Sequence, residues 1–339
     1  MVRWLRRERC SRPELAELLL CCDLAASSLE DRSQTLRWAL ARLPLASDAE
    51  ASHDARVALR RLRSASIGFS KCLATQKRWS RRLRWAEKAL GGLRDAEVRL
   101  ELLDEVLGPV AVSRDRSDDP RIAAELGGPI VMDRTSPIRP GLRGLEMEAR
   151  RTLADSTASE IADHRELALT EGAMQRYQSL AQPPQINRGH KGATPVVLLG
   201  EQQLPRLFKR VGRGGRVARV ATDLHTRRIR VRKLRYRLEL FAPVLSPGHQ
   251  TVLQELRQVQ GLLGRFHDLA VLSTWIDDSS RALRHELRPA LRRLTMRVGL
   301  EQQVAKEIAE SELGRLDEAN WWSVAQAACL DGVLAVPSG

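Results

Sequence analysis

The stretch His53–Phe69, with the sequence HDARVALRRLRSASIGF, carries the pattern that decides the fold of this chain. It recurs as HTRRIRVRKLRYRLELF at His225–Phe241, a constant offset of 172 positions. The two copies share their first histidine, three arginines, a central leucine and their last phenylalanine. Because similarity at a fixed offset indicates duplication of a structural unit, the sequence predicts two related halves.

Helical spacing divides the first copy into a cationic face and an apolar face. At about 100° per residue, one narrow stripe contains His53, Arg56, Arg60 and Arg63. The opposite side is apolar and contains Ala58, Leu62, Ala65, Phe69 and Leu73. A solvated charged face is the common alternative, but such faces usually mix charges of both signs. A stripe of one sign that occurs twice therefore predicts an anion-binding surface.

A second motif follows each copy. LGGLRD at 90–95 corresponds to LGRFHD at 263–268, at an offset of 173, so one residue was gained between the motifs. The pattern predicts helices from Arg78 to Leu107 and from Gln254 to about Ile276. Gly91 and Gly264 fall inside these helices, where glycine costs up to about 1 kcal/mol. We therefore expect a close helix crossing at these glycines.

Helical periodicity also covers 14–29, 33–43, 142–180, 196–211, 281–313 and 316–330, and no strand alternation is visible. The one candidate break inside 142–180 is near Ser156. The Pro- and Gly-rich stretch Gly108–Gly141 is expected to be a long loop. Each half contains about four helices, so the predicted fold is all-α. It consists of two pseudo-symmetric antiparallel four-helix bundles with a basic groove between them. The predicted boundaries are 13–181 for the first bundle, 182–195 for the linker and 196–330 for the second bundle.

The composition points to a polyanionic partner. The chain of 339 residues has a formal net charge of +14, and 49 of its 56 basic residues are arginine. Arginine binds phosphate in a bidentate manner. A GC-rich genome would also favour arginine over lysine, although it would not explain where the arginines lie. Aromatic residues make up only 4% of the chain, which argues against broad base-stacking platforms.

The cysteines predict neither a metal site nor structural disulfides. They are Cys10, Cys21, Cys22, Cys72 and Cys329, without a CxxC pair. This usage is typical of reduced core thiols in a cytoplasmic protein. The apolar run Leu18–Cys22 is too short for a signal sequence, and no run of eighteen apolar residues occurs. We therefore expect a soluble protein without a membrane partner, and the sequence calls for no cofactor and no metal.

The paired HxxR…RRLR helix, each copy followed by an LGxLRD-type helix, resembles the CHAD family (conserved histidine α-helical domain) over about residues 15–320. The resemblance implies two four-helix bundles, binding of inorganic polyphosphate and location at polyphosphate granules. The chain departs from the pattern in three places. His267 stands where the first copy has Arg94, the second helix carries Arg230 and Arg237 on its apolar side, and the loop 108–141 is long.

If a pseudo-twofold axis relates the halves, the two stripes face each other across the groove. The predicted polyphosphate-binding residues are His53, Arg56, Arg60, Arg61, Arg63, Arg81, Arg84, Lys88, His225, Arg228, Arg232, Lys233, Arg235 and Arg257. Asp95 and Asp268 are predicted to hold an arginine in place rather than to perform chemistry. Protonation of His53 and His225 is expected to strengthen binding below about pH 6.5.

Two other function classes fit the sequence less well. An enzyme is disfavoured, because the chain has no P-loop, GxSxG or HExxH motif. The run Glu146–Arg150 is similar to the ExExK motif of CYTH triphosphatases, but it ends in arginine and lies mid-helix, so a solvated helix face is predicted. A generic polyanion-binding, nucleic-acid-binding or scaffold protein is the alternative. Nucleic acid is expected to be only a weak competitor, because no helix-turn-helix, zinc finger or RRM signature is visible.

Overall fold

The computed structural model describes residues 19–45, 48, 50–107, 140–188, 194–212 and 221–330. Within these ranges the regular structure is α-helical, with three short 3-10 turns, two isolated β-bridges and no strand. The prediction of an all-α fold is confirmed. The basic N-terminus with Cys10, most of the Gly108–Gly141 loop and part of the predicted linker lie outside the described residues.

Ten α-helices occur in the described part of the chain. They are α1 (Cys21–Arg42), α2 (Ala51–Gly68), α3 (Gln76–Leu107), α4 (Pro140–Leu169), α5 (Glu171–Leu180), α6 (Val196–Gly212), α7 (Ala221–Phe241), α8 (His249–Ala282), α9 (Arg288–Glu318) and α10 (Trp321–Leu330). The repeated motif therefore forms α2 and α7, and the second motif lies within α3 and α8.

The structure fixes the extent of two predicted helical stretches. The helical pattern at 14–29, which continues at 33–43, forms one helix in the described residues, because Leu29, Ser33 and Leu36 are all buried along one face of α1. The candidate break near Ser156 is absent from α4. The chain breaks instead at Thr170, whose hydroxyl accepts a hydrogen bond from the Ala173 amide at 3.3 Å and so caps α5.

The apolar side of α2 lies in the core, as predicted. Ala58, Leu62, Ala65, Phe69 and Leu73 are all at most 7% exposed. The helix itself ends at Gly68, and a 3-10 turn at Ser70–Cys72 carries the chain onward. Complete burial of a Leu or Phe side chain contributes about 1.5–3 kcal/mol. Burial of the apolar side of α2 thus sets the orientation of the helix and places its arginine stripe on the opposite side.

The described residues form two compact units. The first unit draws its described residues from Met1–Ala96, Glu160–His267 and Gln303–Gly339, and the second draws its described residues from Glu97–Ser159 and Asp268–Gln302. Both repeated helices, α2 and α7, belong to the first unit. This division by contacts differs from the boundaries drawn from the repeat. The repeat boundaries and the pair of pseudo-symmetric four-helix bundles stay predictions.

Within the first unit, α2 packs against α7. Phe69 and Phe241, at equivalent positions of the repeat, meet in an edge-to-face contact with ring centroids 6.1 Å apart. Such geometry is the favoured arrangement of two aromatic rings. Contact between equivalent residues is also the local pattern that a twofold relation produces.

The expected close crossing at Gly91 and Gly264 is wrong, because a Cβ at either position would meet no atom within 4 Å. The close approach occurs one residue further along α3. A Cβ on Gly92 would lie 2.5 Å from the His164 ring of α4, so a larger residue there would force that ring to move. Gly91 instead offers its carbonyl oxygen to a side chain from α2.

Candidate polyanion-binding site

Arginines from α2 and α7 lie close together in the first unit. Arg60 has Arg56 and Arg232 as charged neighbours, and Arg232 has Arg228 and Arg63. Arg60 and Arg232 occupy equivalent positions of the repeat and are both half-buried. The structure thus brings together the central residues of the two predicted stripes.

The surroundings of these arginines disfavour their positive charge. Burial, followed by the neighbouring Arg56 and Arg232, lowers the pKa of Arg60 to about 10. Burial and the neighbouring Arg228 likewise lower the pKa of Arg232. Glu87 acts in the opposite direction on both groups but is the weaker influence. A bound anion would offset this unfavourable interaction among the guanidinium groups.

Carboxylates from α3 orient two other arginines of α2. The Arg56 Nη1 atom donates to Asp95 Oδ1 at 2.7 Å and to the Gly91 carbonyl oxygen at 3.2 Å. The Arg63 Nε atom donates to Glu87 Oε1 at 2.7 Å. No acid interrupts the stripe along α2 itself, as the sequence indicates, but α3 brings two acids to it. Asp95 therefore accepts a hydrogen bond from an arginine. This contact is the one that its predicted role, holding an arginine in place, requires.

Glu239 of α7 is shared between both repeated helices. One oxygen lies 3.3 Å from Arg61 Nε and the other lies 3.5 Å from Arg235 Nη1. Arg32 of α1 joins this cluster, since burial first and then Arg61 lower its pKa while Glu239 opposes the shift. Arg61 and Arg235 are thus partly neutralised by a carboxylate within 3.5 Å.

Sequence reasoning missed Glu87, Glu239 and Arg32. Glu239 follows Arg235 by four residues, which is the spacing of an ion pair on one helix and could have revealed it. Glu87 and Arg32 come from other helices and left no signal in the local pattern.

The predicted histidines are exposed, and a third histidine joins them. His53 and His225 open the two stripes as exposed side chains. The His225 and His267 rings lie 5.3 Å apart between centroids. Burial, followed by the neighbouring Arg228 and His225, lowers the pKa of His267 to about 4. The residue that replaces Arg94 in the second copy is therefore neutral at neutral pH.

The remaining predicted residues are five basic side chains and Asp268. Five exposed bases lie on α3, α7 and α8, namely Arg81, Arg84, Lys88, Lys233 and Arg257. Asp268 is half-buried and is the first residue of its stretch in the second unit. Their participation in the site stays a prediction.

The two unexpected arginines of α7 have specific surroundings. Arg230 donates from Nη1 to the Arg210 carbonyl oxygen of α6 at 3.0 Å. Arg237 is 8% exposed, and burial lowers its pKa to about 10. Its guanidinium lies against Gly68, where it occupies the space that a Cβ would need.

The ExExK-like acids lie on α4 in the second unit and are paired with arginines. Glu146 lies 3.3 Å from Arg150 and 3.7 Å from Arg297, and Glu148 pairs with Arg284. In the described ranges no group of three or more His, Cys, Asp or Glu side chains could hold a metal ion. None of the described helices is long and apolar enough to span a membrane.

Comparison with known proteins identifies the family. The CHAD domain model matches residues 28–277, about three quarters of the chain. The crystal structure of the CHAD domain from the plant Ricinus communis is similar, with a TM-score of 0.55 and 17% identity over 93% of this chain and 92% of that chain. PptA from Streptomyces chartreusis is similar with a TM-score of 0.58 and 16% identity, over 88% of this chain and 100% of that one. At these identities the two structures show the fold alone, and no curated protein matches the chain. The extent of the family match, together with the duplicated histidine and arginine helices, shows that the chain belongs to the CHAD domain family.

Proposed function

We propose that this protein binds inorganic polyphosphate without catalysis, through the basic side chains of α2 and α7. The observation that carries the proposal is the approach of two half-buried arginines, Arg60 and Arg232, whose pKa values are lowered by burial and by neighbouring arginines. A ligand with dense negative charge would relieve this repulsion. Family membership supports the same ligand, because some CHAD proteins bind polyphosphate.

The chemistry of the helices suits a flexible polyanion. Polyphosphate has regularly spaced charges and no bases, so a matching site needs rigidly held cations at regular intervals. Arginines one turn apart on α2 recur about every 5.4 Å along the helix, and each guanidinium can bind two phosphate oxygens. The carboxylates of Asp95 and Glu87 hold Arg56 and Arg63 in position, which reduces the entropy lost on binding.

A non-catalytic role is supported by the state of the nearby acids. Asp95, Glu87 and Glu239 are each paired with arginines of the cluster. A phosphohydrolase would need acids available to bind metal or to activate a nucleophile. We expect no release of orthophosphate when the protein is incubated with polyphosphate and divalent cations. Sustained release would overturn this part of the proposal.

Binding of polyphosphate would direct the protein to polyphosphate granules in the cytoplasm. A fluorescent fusion should form foci that coincide with polyphosphate staining. The foci should disperse in cells that cannot make polyphosphate, and also when Arg60 and Arg232 are replaced by glutamate. Foci that persist in both cases would argue for recruitment by a protein partner.

The decisive experiment compares the salt dependence of binding to three polyanions. Affinity for long-chain polyphosphate, single-stranded DNA of equal charge and a short duplex is measured over a range of salt concentrations. The variants are Arg60→Glu/Arg232→Glu and a matched control, Arg206→Glu/Lys209→Glu, which makes the same charge change at exposed positions of α6. All three ligands should bind less tightly as salt rises, because counterions are released on binding.

If the protein has a dedicated polyphosphate site, polyphosphate should remain bound at salt concentrations that dissociate both nucleic acids. In that case Arg60→Glu/Arg232→Glu should also lose polyphosphate binding, while the α6 control should lose only a small part. Equal affinities and salt slopes for all ligands, or equal losses in the two variants, would leave only a generic basic surface. Tighter binding of DNA would shift the proposal to nucleic acid.

A further inference from the structure

Two cysteines distant in the sequence meet in the first unit. Cys21 is the first residue of α1, and Cys72 ends the 3-10 turn that follows α2. Their thiols are hydrogen-bonded to each other, and both residues are 1% exposed. Both cysteines are free rather than bridged.

The segment between the two repeats is hydrogen-bonded to both cysteines. The Cys21 amide donates to the Thr194 carbonyl oxygen at 2.9 Å, and the Asn187 amide donates to the Cys72 carbonyl oxygen at 2.8 Å. Isolated β-bridges at the neighbouring residues, Leu20–Pro195 and Leu73–Ile186, continue these contacts. The backbone on both sides of the thiol pair is therefore fixed by the same segment.

The two thiols have different acidities, which gives them different roles. The hydrogen bond with Cys21 lowers the pKa of Cys72, and the charge of Lys71 acts in the same direction, although burial opposes it. The same hydrogen bond raises the pKa of Cys21, and burial raises it further. Thiolate is the nucleophilic form of cysteine. Cys72 is thus the sulfur that attacks, with the Cys21 thiol beside it.

We propose that Cys21 and Cys72 form a peroxide-sensitive pair that closes an intramolecular disulfide. The Cys72 thiolate attacks one oxygen of hydrogen peroxide, the O–O bond breaks, and Cys72 sulfenic acid and hydroxide form. Hydroxide takes up the proton that Cys72 released, which gives the first water. The Cys21 sulfur then attacks the Cys72 sulfur, the S–O bond breaks, and the departing hydroxyl leaves as the second water with the Cys21 proton. Both sulfurs are oxidised and the peroxide is reduced.

Burial of the sulfurs determines the kinetics and the product. Because Cys72 is 1% exposed, the reaction requires local opening of the 3-10 turn, so it should be slower than that of an exposed thiol. Once sulfenic acid forms, Cys21 is already in contact, so the disulfide should form before further oxidation. The bridge joins α1 to the end of α2 and restricts the unfolded chain. The oxidised protein should therefore melt several degrees higher than the reduced protein.

The test treats the native full-length protein with hydrogen peroxide, blocks remaining thiols by alkylation, and maps linked peptides by mass spectrometry without reductant. We expect a Cys21–Cys72 linkage that lacks two hydrogen atoms, returns to free thiols with dithiothreitol and raises the melting temperature. Cys22 serves as the control because it adjoins Cys21, is buried, and has a pKa raised chiefly by burial. Cys22→Ser should keep the linkage and the thermal shift.

Cys21→Ser should lose the linkage and leave Cys72 as a sulfenic acid that dimedone traps. Direct conversion of wild-type Cys72 to sulfinic acid, a Cys22–Cys72 linkage in the wild type, or an unreacted Cys72 would each overturn the proposal. The wild-type mapping decides these outcomes even if a serine variant fails to fold. None of them depends on polyphosphate binding.

Discussion

Arg60 and Arg63 lie less than one helical turn apart on α2, yet their electrostatic surroundings are opposite. Arg63 donates to Glu87, whereas the dominant influences on Arg60 are burial and two neighbouring arginines. The pairing of Arg63 with Glu87 stabilises the ligand-free fold, whereas the burial of Arg60 beside two other arginines destabilises it. A charge that costs stability in the free protein is typical of a functional position.

Replacement of Arg60 by methionine should therefore separate stability from binding. Arg60→Met should raise the free energy of unfolding of the ligand-free protein by about 1 kcal/mol, because an apolar side chain of similar volume removes a poorly compensated charge. The same variant should bind polyphosphate roughly tenfold more weakly or worse, since a charge-assisted hydrogen bond is lost. Urea unfolding and a binding isotherm measure the two effects.

Arg63→Met is the matched control, three residues along the same helix. It should lower the free energy of unfolding by about 1–2 kcal/mol, because Glu87 loses its partner. If both variants destabilise the ligand-free protein alike, the repulsion inferred at Arg60 is wrong.

The lowered pKa of His267 predicts a specific pH dependence of the free energy of unfolding. Its pKa is about 4 in the folded protein and about 6.5 in an unfolded chain. Between these values the unfolded chain binds the proton more readily, so stability should be full above about pH 6.5 and should fall as the pH approaches 4. Imidazole NMR titration and urea unfolding at several pH values test this. His267→Gln should weaken the pH dependence, and a His267 that titrates near pH 6.5 would contradict the prediction.

Polyphosphate should raise the pKa of His267, because the ligand neutralises the neighbouring Arg228. This refines the expectation that histidine protonation strengthens binding. His267 would contribute only toward the acid end of the range, in addition to any contribution from His53 and His225. Titration of the three imidazoles with and without polyphosphate separates these contributions. An unchanged His267 pKa in the complex would place the ligand away from Arg228.

At the scale of elements, the pairing of α2 with α7 depends on equivalent positions of the repeat. Phe69 and Phe241 meet edge to face at 6.1 Å and are both fully buried. In a double-mutant cycle of Phe69→Leu and Phe241→Leu, we expect a coupling energy of about 0.5–1.5 kcal/mol. Urea unfolding of the four proteins provides the measurement. Strictly additive effects would mean that the rings are stabilised by burial alone, and that their contact does not help to hold α2 on α7.

The sequence predicts the helices better than it predicts which residues of different helices contact each other. The apolar side of α2 was predicted residue by residue, because burial repeats with the helical period. The pairing of Arg63 with Glu87 depends on how α2 lies on α3, which periodicity within one helix does not contain. The same limit explains the glycines of α3, where the motif drew attention to Gly91 and the close contact occurs at Gly92.

The repeat itself gave the most reliable long-range prediction. A fixed offset of 172 residues identified Arg60 with Arg232, and the structure makes these two arginines neighbours. Duplication can predict a long-range contact because, where a twofold axis relates two copies, equivalent residues near the axis lie close together. Glu239 breaks the repeat, since the equivalent position in the first copy is Ile67. Its role could therefore not be read from one copy and transferred to the other.

At the scale of the whole molecule, a formal net charge of +14 gives salt two opposite effects. Added salt screens repulsion among the basic side chains, so the melting temperature of the ligand-free protein should rise. The same salt weakens polyphosphate binding through counterion release. A parallel series of melting curves and binding isotherms in sodium chloride should therefore give slopes of opposite sign.

Sulfate distinguishes general screening from occupation of the arginine cluster. At equal ionic strength, sodium sulfate should raise the melting temperature more than sodium chloride, because sulfate can occupy the space between Arg60 and Arg232 and because it also strengthens apolar burial. Only the first effect depends on these arginines. In Arg60→Met/Arg232→Met the excess stabilisation by sulfate should shrink, whereas Arg206→Met/Lys209→Met should retain it. An equal excess in both variants would assign the sulfate effect to the solvent alone and would remove the cluster as an anion site.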